Sequence, residues 1–308
     1  MLSSKRLAAV TGAFSYSGRY ITEALLRDGW DVITLTRRPE RRHLLQGTVK
    51  AYPLDFSNQA QLVQYLDGVE LFVNTYWVRF NYPESSFNAA IENTRRLVHA
   101  AEAAGVRRFI HLSVSNPDKG SSLAYYRGKA EVESILEASS LSYAILRPTL
   151  IFGEEEVLVN NIAWLLRRLP IFAIPGNGAY RLEPIYAGDL AELVVQAAKS
   201  TTPAVMQANG PETYSFEELV RLLAQLLGRK VWLLRVPPSL ALLLAKIIGL
   251  FLRDALLTRE ELQGLMEERL YVGEPAAATT RFSDWARQHT ADLGRRYAHE
   301  LNRHHKQS

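Results

Sequence analysis

Tyr125 and Lys129 stand four residues apart in Tyr125-Tyr126-Arg127-Gly128-Lys129, inside a stretch with helical spacing. Side chains four apart on a helix share a face, so phenol and amine are expected at one site. A free phenol loses its proton at about pH 10, and a nearby ammonium favours the phenolate. In that arrangement Tyr125 serves as acid/base toward a substrate oxygen and Lys129 tunes it. Tyr126 fits less well, because the lysine then lies three residues away. Ser113, closing the apolar run His111-Leu112-Ser113, is the third candidate, a hydroxyl that orients a carbonyl or alcohol; Ser115 is a second such hydroxyl. The alternative is that both are plain loop hydroxyls.

A second pattern lies near the N-terminus, where Val10–Gly18 reads V-T-G-A-F-S-Y-S-G between an apolar run and a helical stretch. Gly12 allows a tight turn and Gly18 a close approach of helix to strand. Between them the backbone at Phe14, Ser15, Tyr16 and Ser17, with the helix N-terminus, faces an anion. The Ser15 side chain either crowds a pyrophosphate or hydrogen-bonds to it. The bland alternative is an ordinary glycine turn. The next apolar run ends in Thr36-Arg37-Arg38-Pro39. An Asp or Glu there would accept from the ribose 2′-OH of NAD, whereas arginine makes charge-assisted bonds to a 2′-phosphate. NADP(H) is therefore expected over NAD(H), unless Arg37 and Arg38 are surface charges. Lys129 then gains a second task, holding the nicotinamide ribose.

These residues need a scaffold. Strands are predicted at 7–11, 31–36, 71–75, 109–113 and 142–146, and helices at 18–28, 59–66, 86–104 and 124–139. Strands with little alternation, separated by helices, predict an α/β Rossmann fold: a doubly wound parallel sheet covered on both faces. After Pro148 the rhythm breaks. Helices are predicted at 160–168, 189–199 and 216–227, the last N-capped by Ser215 with Glu218 at the capping-box position. The expected division is a dinucleotide-binding core of 1–150 to which 182–205 returns, and a smaller C-terminal substrate lobe of 151–181 and 206–308.

Composition narrows the classes. With no cysteine, thiolate chemistry and disulfides are excluded, which fits a cytoplasmic location. The seven histidines form no spaced ligand set, so no metal is expected. A net charge of +4 owes part of its excess to Arg295, Arg296, Arg303, His304, His305 and Lys306. That tail lacks aromatic interleaving or a DNA-reading motif, so it reads as a solvated end and no nucleic-acid partner is expected. No signal peptide is legible after Lys5 and Arg6. The run 240–252, LALLLAKIIGLFL, is too short to span a bilayer. It reads as a buried or half-buried helix of the second lobe; the alternative is an interfacial helix or a lid over a lipophilic substrate. A membrane-surface partner is not expected, and the oligomeric state is left open.

Taken together, the chain resembles the extended and atypical short-chain dehydrogenase/reductase superfamily, of the NAD-dependent epimerase/dehydratase type. The glycine spacing is similar to its G-x-x-G-x-x-G, with Ser15 at the middle glycine. Arg147-Pro148-Thr149-Leu150-Ile151-Phe152-Gly153, Pro175-Gly176-Asn177-Gly178 and Pro184–Ala191 resemble later family segments, so the likeness covers roughly 6–230. Within it the chain looks closest to atypical members akin to the nucleotide-binding accessory subunit of respiratory complex I, where the nucleotide is understood to serve structure more than turnover. The resemblance implies Pro148 beside the nicotinamide, Thr75 beside the cofactor, and Asp55 near the adenine amino group. For Asp55 an equal alternative is capping the following helix, through itself or Ser57. Many relatives carry small residues where this chain has Tyr76 and Trp77, which either meet the substrate or pack between sheet and second lobe. The implied function is NADP(H)-dependent oxidation or reduction, epimerisation or dehydration of a small alcohol or carbonyl compound; the alternative is a non-catalytic NADP(H)-binding structural or sensor protein.

Overall fold

A computed structural model of the chain describes residues 6–40, 45, 47–79, 86–254 and 256–299. The basic residues Arg303, His304, His305 and Lys306 lie outside them. In chain order, β1 (Leu7–Thr11), α1 (Tyr16–Arg27), β2 (Asp31–Thr36), β3 (Lys50–Pro53), α2 (Gln59–Tyr65), β4 (Leu71–Asn74), α3 (Phe87–Ala103), β5 (Arg108–Leu112), α4 (Ala124–Glu137) and β6 (Tyr143–Pro148) come first. Next are β7 (Leu150–Phe152), α5 (Val157–Arg168), β8 (Ile171–Pro175), β9 (Arg181–Leu182), β10 (Pro184–Tyr186), α6 (Ala187–Ala198) and β11 (Ala204–Ala208). The remainder is β12 (Tyr214–Ser215), α7 (Phe216–Leu226), β13 (Trp232–Val236), α8 (Pro238–Leu252), α9 (Arg259–Met266) and α10 (Phe282–Gln288). The chain divides into two compact units, Met1–Pro148 with Ala187–Ala208, and Thr149–Tyr186 with Asn209–Ser308.

The first unit holds a seven-stranded sheet in the order β3-β2-β1-β4-β5-β6-β11, with every neighbouring pair parallel. Helices α1 and α6 pack together, as do α2 with α3 and α3 with α4. Because helices cover the sheet, β4 and β5 are buried along their whole length, which explains their unbroken apolar runs. Phe72 and Phe109 meet edge to face at 5.0 Å in a core that also holds Leu62, Leu97 and Ile145. Strand order reverses between the neighbours β1 and β4. The loops leaving their C-terminal ends diverge to opposite faces there, which is where doubly wound sheets open a ligand crevice. The expected α/β doubly wound parallel sheet is thus observed.

The second unit packs α5, α7 and α10 around Phe152, Leu166, Leu219, Leu223, Phe282 and Trp285. The capping box predicted for α7 is formed by Ser215 and Glu218. Strands β7 and β10 pair in parallel within this unit, so the chain re-enters the first unit at Ala187 and leaves it after Ala208. Expectation and structure differ at α8. It is a helix, but its buried residues are Ala241, Ala245 and Gly249, not its leucines. Small residues four apart let the helix backbone lie close to its neighbours: a Cβ on Gly249 would sit 2.5 Å from the Asp254 carbonyl oxygen. Among the described residues no helix is long and apolar enough to cross a membrane.

Candidate active site

Everything at the crevice hangs from the end of β1. Gly12 takes a left-handed φ of +65°, open to glycine at little cost. Its N–H donates to the Leu35 carbonyl and its own carbonyl accepts from Ser15 N–H at 2.8 Å. Helix α1 passes so close that a Cβ on Gly18 would lie 2.1 Å from the Gly12 carbonyl oxygen and 2.8 Å from Ser15 Oγ. Only glycine fits at 18. Ser15 occupies the N-cap position with extended backbone but makes no side-chain cap hydrogen bond. The opening turn of α1 thus lacks a side-chain cap, as a helix end must to receive an anion. Ser15 Oγ is exposed at this opening, placed to hydrogen-bond there.

The turn is braced against β2 and β4. Thr34 Oγ1 donates to the Val10 carbonyl and accepts from Ala13 N–H. Thr11 Oγ1 accepts from Thr75 N–H at 2.8 Å and donates to Asn74 Oδ1 at 3.0 Å. Thr75 Oγ1 donates to the Thr11 carbonyl. Thr75 is thereby held beside Gly12. Asn74 Oδ1 also accepts from Tyr76 N–H, which turns its Nδ2 toward His111 Nδ1 at 3.2 Å. His111 therefore carries its proton on Nε2, which has no hydrogen-bond partner among the described residues. Burial and then the charge of Lys129 hold His111 well below its ordinary range, so it is neutral.

At the end of β2, Arg37 is exposed and Arg38 half-buried, its N–H donating to Thr36 Oγ1. Asp55 does not cap α2. Its carboxylate accepts from Ser57 N–H and Oγ, which hold it below the usual carboxylate range, and Asn58 is the N-cap, accepting from Gln61 N–H. Asn58 wins because it immediately precedes the first helical residue, three residues nearer than Asp55 and one nearer than Ser57. Pro148 ends β6, and its carbonyl accepts from Ser115 N–H, so that loop lies alongside it. Ser115 itself is fully buried.

Tyr125, Lys129 and Glu133 follow one another at four-residue intervals on α4. The Tyr125 ring is half-buried between the edges of Trp77 at 6.1 Å and Phe87 at 5.9 Å. Trp77 stacks on Phe87 and lies under Lys129 Nζ, 4.7 Å from the ring centroid. Gly128 makes room for that indole, since a Cβ there would meet Trp77 at 3.1 Å. The aromatic pair expected at the substrate therefore separates. Trp77 joins the Tyr125 and Lys129 group, whereas Tyr76 packs on Phe56 and accepts from Asn93 Nδ2. Both pack within the first unit.

Ser113 lies just past the end of β5. Its hydroxyl is buried and donates to Glu133 Oε1. Glu133 also takes two bonds from the Arg147 guanidinium, 3.1 Å to Oε1 and 2.6 Å to Oε2. A carboxylate this deep must be saturated with donors, and Ser113 is one of them. Sequence reading missed Glu133, although its place one turn beyond Lys129 was legible.

Lys129 is buried and donates to the Leu112 carbonyl at 2.8 Å. Burial lowers its ammonium to about 7, against an opposing pull from Glu133. This has a sign that stability measurements can read. The unfolded chain keeps the ordinary value of 10.5, so between about 7 and 10.5 it binds more protons than the fold does. Raising pH through that window relieves the cost of burying the cation, and below it the cost is complete. Lys129→Met is expected to raise Tm relative to the native chain at about pH 6, with the gain fading above about pH 10. Thermal unfolding across that range checks this; a constant difference contradicts it.

With this geometry in place, likeness to known proteins becomes informative. Residues 8–208 match the model of the NAD dependent epimerase/dehydratase family. The NADH-ubiquinone oxidoreductase 40 kDa subunit of Neurospora crassa is 24% identical over 283 residues, 88% of this chain and 73% of that protein. A ceramide reductase of Caulobacter vibrioides is 26% identical over 238 residues, 76% of this chain and 74% of that protein. Among solved structures, an Escherichia coli NADPH-dependent quinone oxidoreductase complexed with NADPH superposes with a TM-score of 0.70 at 22% identity, covering 93% of this chain and 99% of that one. Family match and parallel sheet agree: this chain belongs to the NAD dependent epimerase/dehydratase family, whose members bind a nicotinamide dinucleotide.

Proposed function

We propose that the first unit binds NADP(H) and that Tyr125 acts as acid/base in the oxidation or reduction, epimerisation or dehydration of a small organic alcohol or carbonyl compound. The observation that carries this reading is the approach of Gly18 to the Gly12 carbonyl. A side chain there would push helix α1 off the end of β1 and displace the N–H groups that a diphosphate needs. The backbone from Phe14 to Gly18, with Ser15 Oγ, Tyr16 and Ser17, would hold the diphosphate. Thr75 and Pro148 would border the nicotinamide, and Asp55, its carboxylate exposed, would meet the adenine edge. Arg37 and Arg38 would take the 2′-phosphate. When bound, the nicotinamide supplies or accepts a hydride. Tyr125 Oη would give a proton to a carbonyl oxygen as it becomes an alcohol, and take it back in the reverse direction. Lys129, poised near neutrality, would tune that phenol, and Trp77 would flank a planar substrate. Ser113 serves by bracing Glu133 and Arg147 behind the site; Ser115, buried beside Pro148, would shape the same wall.

Titration with NADPH and NADH tests the cofactor assignment. Native protein is expected to favour NADPH, and Arg37→Ala with Arg38→Ala is expected to weaken NADPH by about 10- to 100-fold while leaving NADH unchanged. Equal affinity in the native protein overturns the assignment. One observation favours a second reading, a non-catalytic NADP(H)-binding protein: the buried hydrogen-bonding groups are already engaged, Lys129 by the Leu112 carbonyl and the face of Trp77, and Ser113 by Glu133. NADPH oxidation with a panel of aldehydes, ketones and quinones separates the two; tight binding without oxidation supports the scaffold.

A further inference from the structure

Helix α8 is inside out. A helix at the surface of a globular unit normally buries its large apolar side chains and shows polar ones. Here Ala241, Ala245 and Gly249 face inward, while Leu240, Leu243, Leu244, Ile247, Leu250 and Phe251 are exposed. Leu250 is 79% exposed and Phe251 83%. The core of the second unit is assembled from other elements, without a side chain of α8 among its described members. The strand just before it repeats the inversion: Trp232, 74% exposed, and Leu234 alternate outward on β13, and Ile171 stands opposite Trp232 on β8. Two consecutive elements thus show large apolar side chains to the outside. Exposure on this scale marks an interaction surface.

Charge identifies the partner. From Arg229 to Arg253 the chain carries Arg229, Lys230, Arg235, Lys246 and Arg253 and no acidic residue. All five are exposed, Arg235 pairing with Glu217, and Lys246 lies among the leucines of α8 itself. A protein partner or a second copy of this chain would not need a stretch whose own charges are all positive. A bilayer with anionic headgroups does, because leucine and phenylalanine enter the acyl boundary while lysine and arginine stay at the phosphates. Tryptophan settles at the same depth. The C-terminal stretch 300–308 is no substitute occupant, since it is polar and basic apart from Leu301.

We infer that the outward face of α8, with Trp232 and Leu234 of β13, is an interfacial docking surface for an anionic phospholipid bilayer. The chain lies on the membrane by this face without crossing it. This reading is independent of the nucleotide site. The test is co-sedimentation of the full chain with vesicles of phosphatidylcholine alone and of phosphatidylcholine with one-third phosphatidylglycerol. The native protein is expected to sediment with the second and much less with the first, weakening as salt rises from about 0.1 M to about 0.5 M. Leu250→Ser with Phe251→Ser should abolish sedimentation with unchanged circular dichroism and Tm, since neither side chain supports the fold. Lys246→Gln with Arg253→Gln should weaken binding to the anionic vesicles by about ten-fold or more. The inference is overturned if native protein stays in solution with both vesicles, if it binds both equally, or if the Leu250 and Phe251 variant still binds. Lipid-free self-association that the same variant abolishes also overturns it, by giving the face to a second copy.

Discussion

Phenylalanine at Tyr125 is expected to lower turnover by about 10²- to 10⁴-fold while leaving NADPH affinity and Tm nearly unchanged. The substitution removes one oxygen and keeps the ring. The ring is what the structure uses locally, in edge-to-face contacts with Trp77, Phe87 and Tyr126. The residue is half-buried, and the substitution keeps every ring atom in place, so no cavity opens. What disappears is the group that moves a proton at the substrate oxygen. Steady-state kinetics with a substrate found in the panel, beside a fluorescence titration with NADPH, separates the two effects. Unchanged turnover would remove Tyr125 from the mechanism. Loss of NADPH binding along with turnover would make it a structural residue of the site.

Gly18→Ala should act in the opposite way, on binding and stability together. The added Cβ would fall 2.1 Å from a backbone carbonyl oxygen, and a carbonyl at the end of a buried strand has no route of escape. Gly12 cannot move because its N–H is tied to Leu35, and β1 is paired on both sides. Helix α1 must therefore shift outward. That costs on the order of 1–3 kcal/mol in overpacking and spoils the N–H groups aimed at the diphosphate. NADPH affinity is expected to fall by about 100-fold or more, since both helix placement and the charge-assisted bonds suffer. Gly120→Ala is the control, because a Cβ there meets only Asp118 Oδ1 at 3.4 Å. If Gly18→Ala binds NADPH as the native chain does, the cradle is not where the nucleotide sits.

The two substitutions also show which parts of the site were legible in one dimension. The Gly12 to Gly18 spacing spoke for itself, because the tight turn and the close helix are made by residues only six apart in the chain. Tyr125 and Lys129 were equally readable, since four-residue spacing on a helix is a local rule, which extends to Glu133 although that residue was missed. Ser113 was not. Its place at a strand end was foreseen, but its hydroxyl turned to Glu133, whose need for donors is set by burial and by Arg147 on another strand. Nor was the setting of Trp77 legible; its indole occupies the space that Gly128 on α4 leaves for it. Asp55 and Ser57 were candidate caps, and Asn58 took the role.

What the order of residues determined alone, then, is the alternation of strand and helix, the glycine turn after β1 and the helical face carrying Tyr125 and Lys129. These follow from backbone geometry and periodicity over a few residues. Tertiary structure decided where the side chains point: Lys129 drawn to the carbonyl at the end of β5 and desolvated toward neutrality, Ser113 turned inward, and the leucines of α8 turned out. Each depends on neighbours distant in the chain. Helical period reveals that 240–252 is apolar on nearly every side, but which side is buried is settled by what it packs against, and there the small residues, Ala241, Ala245 and Gly249, allow the closest approach.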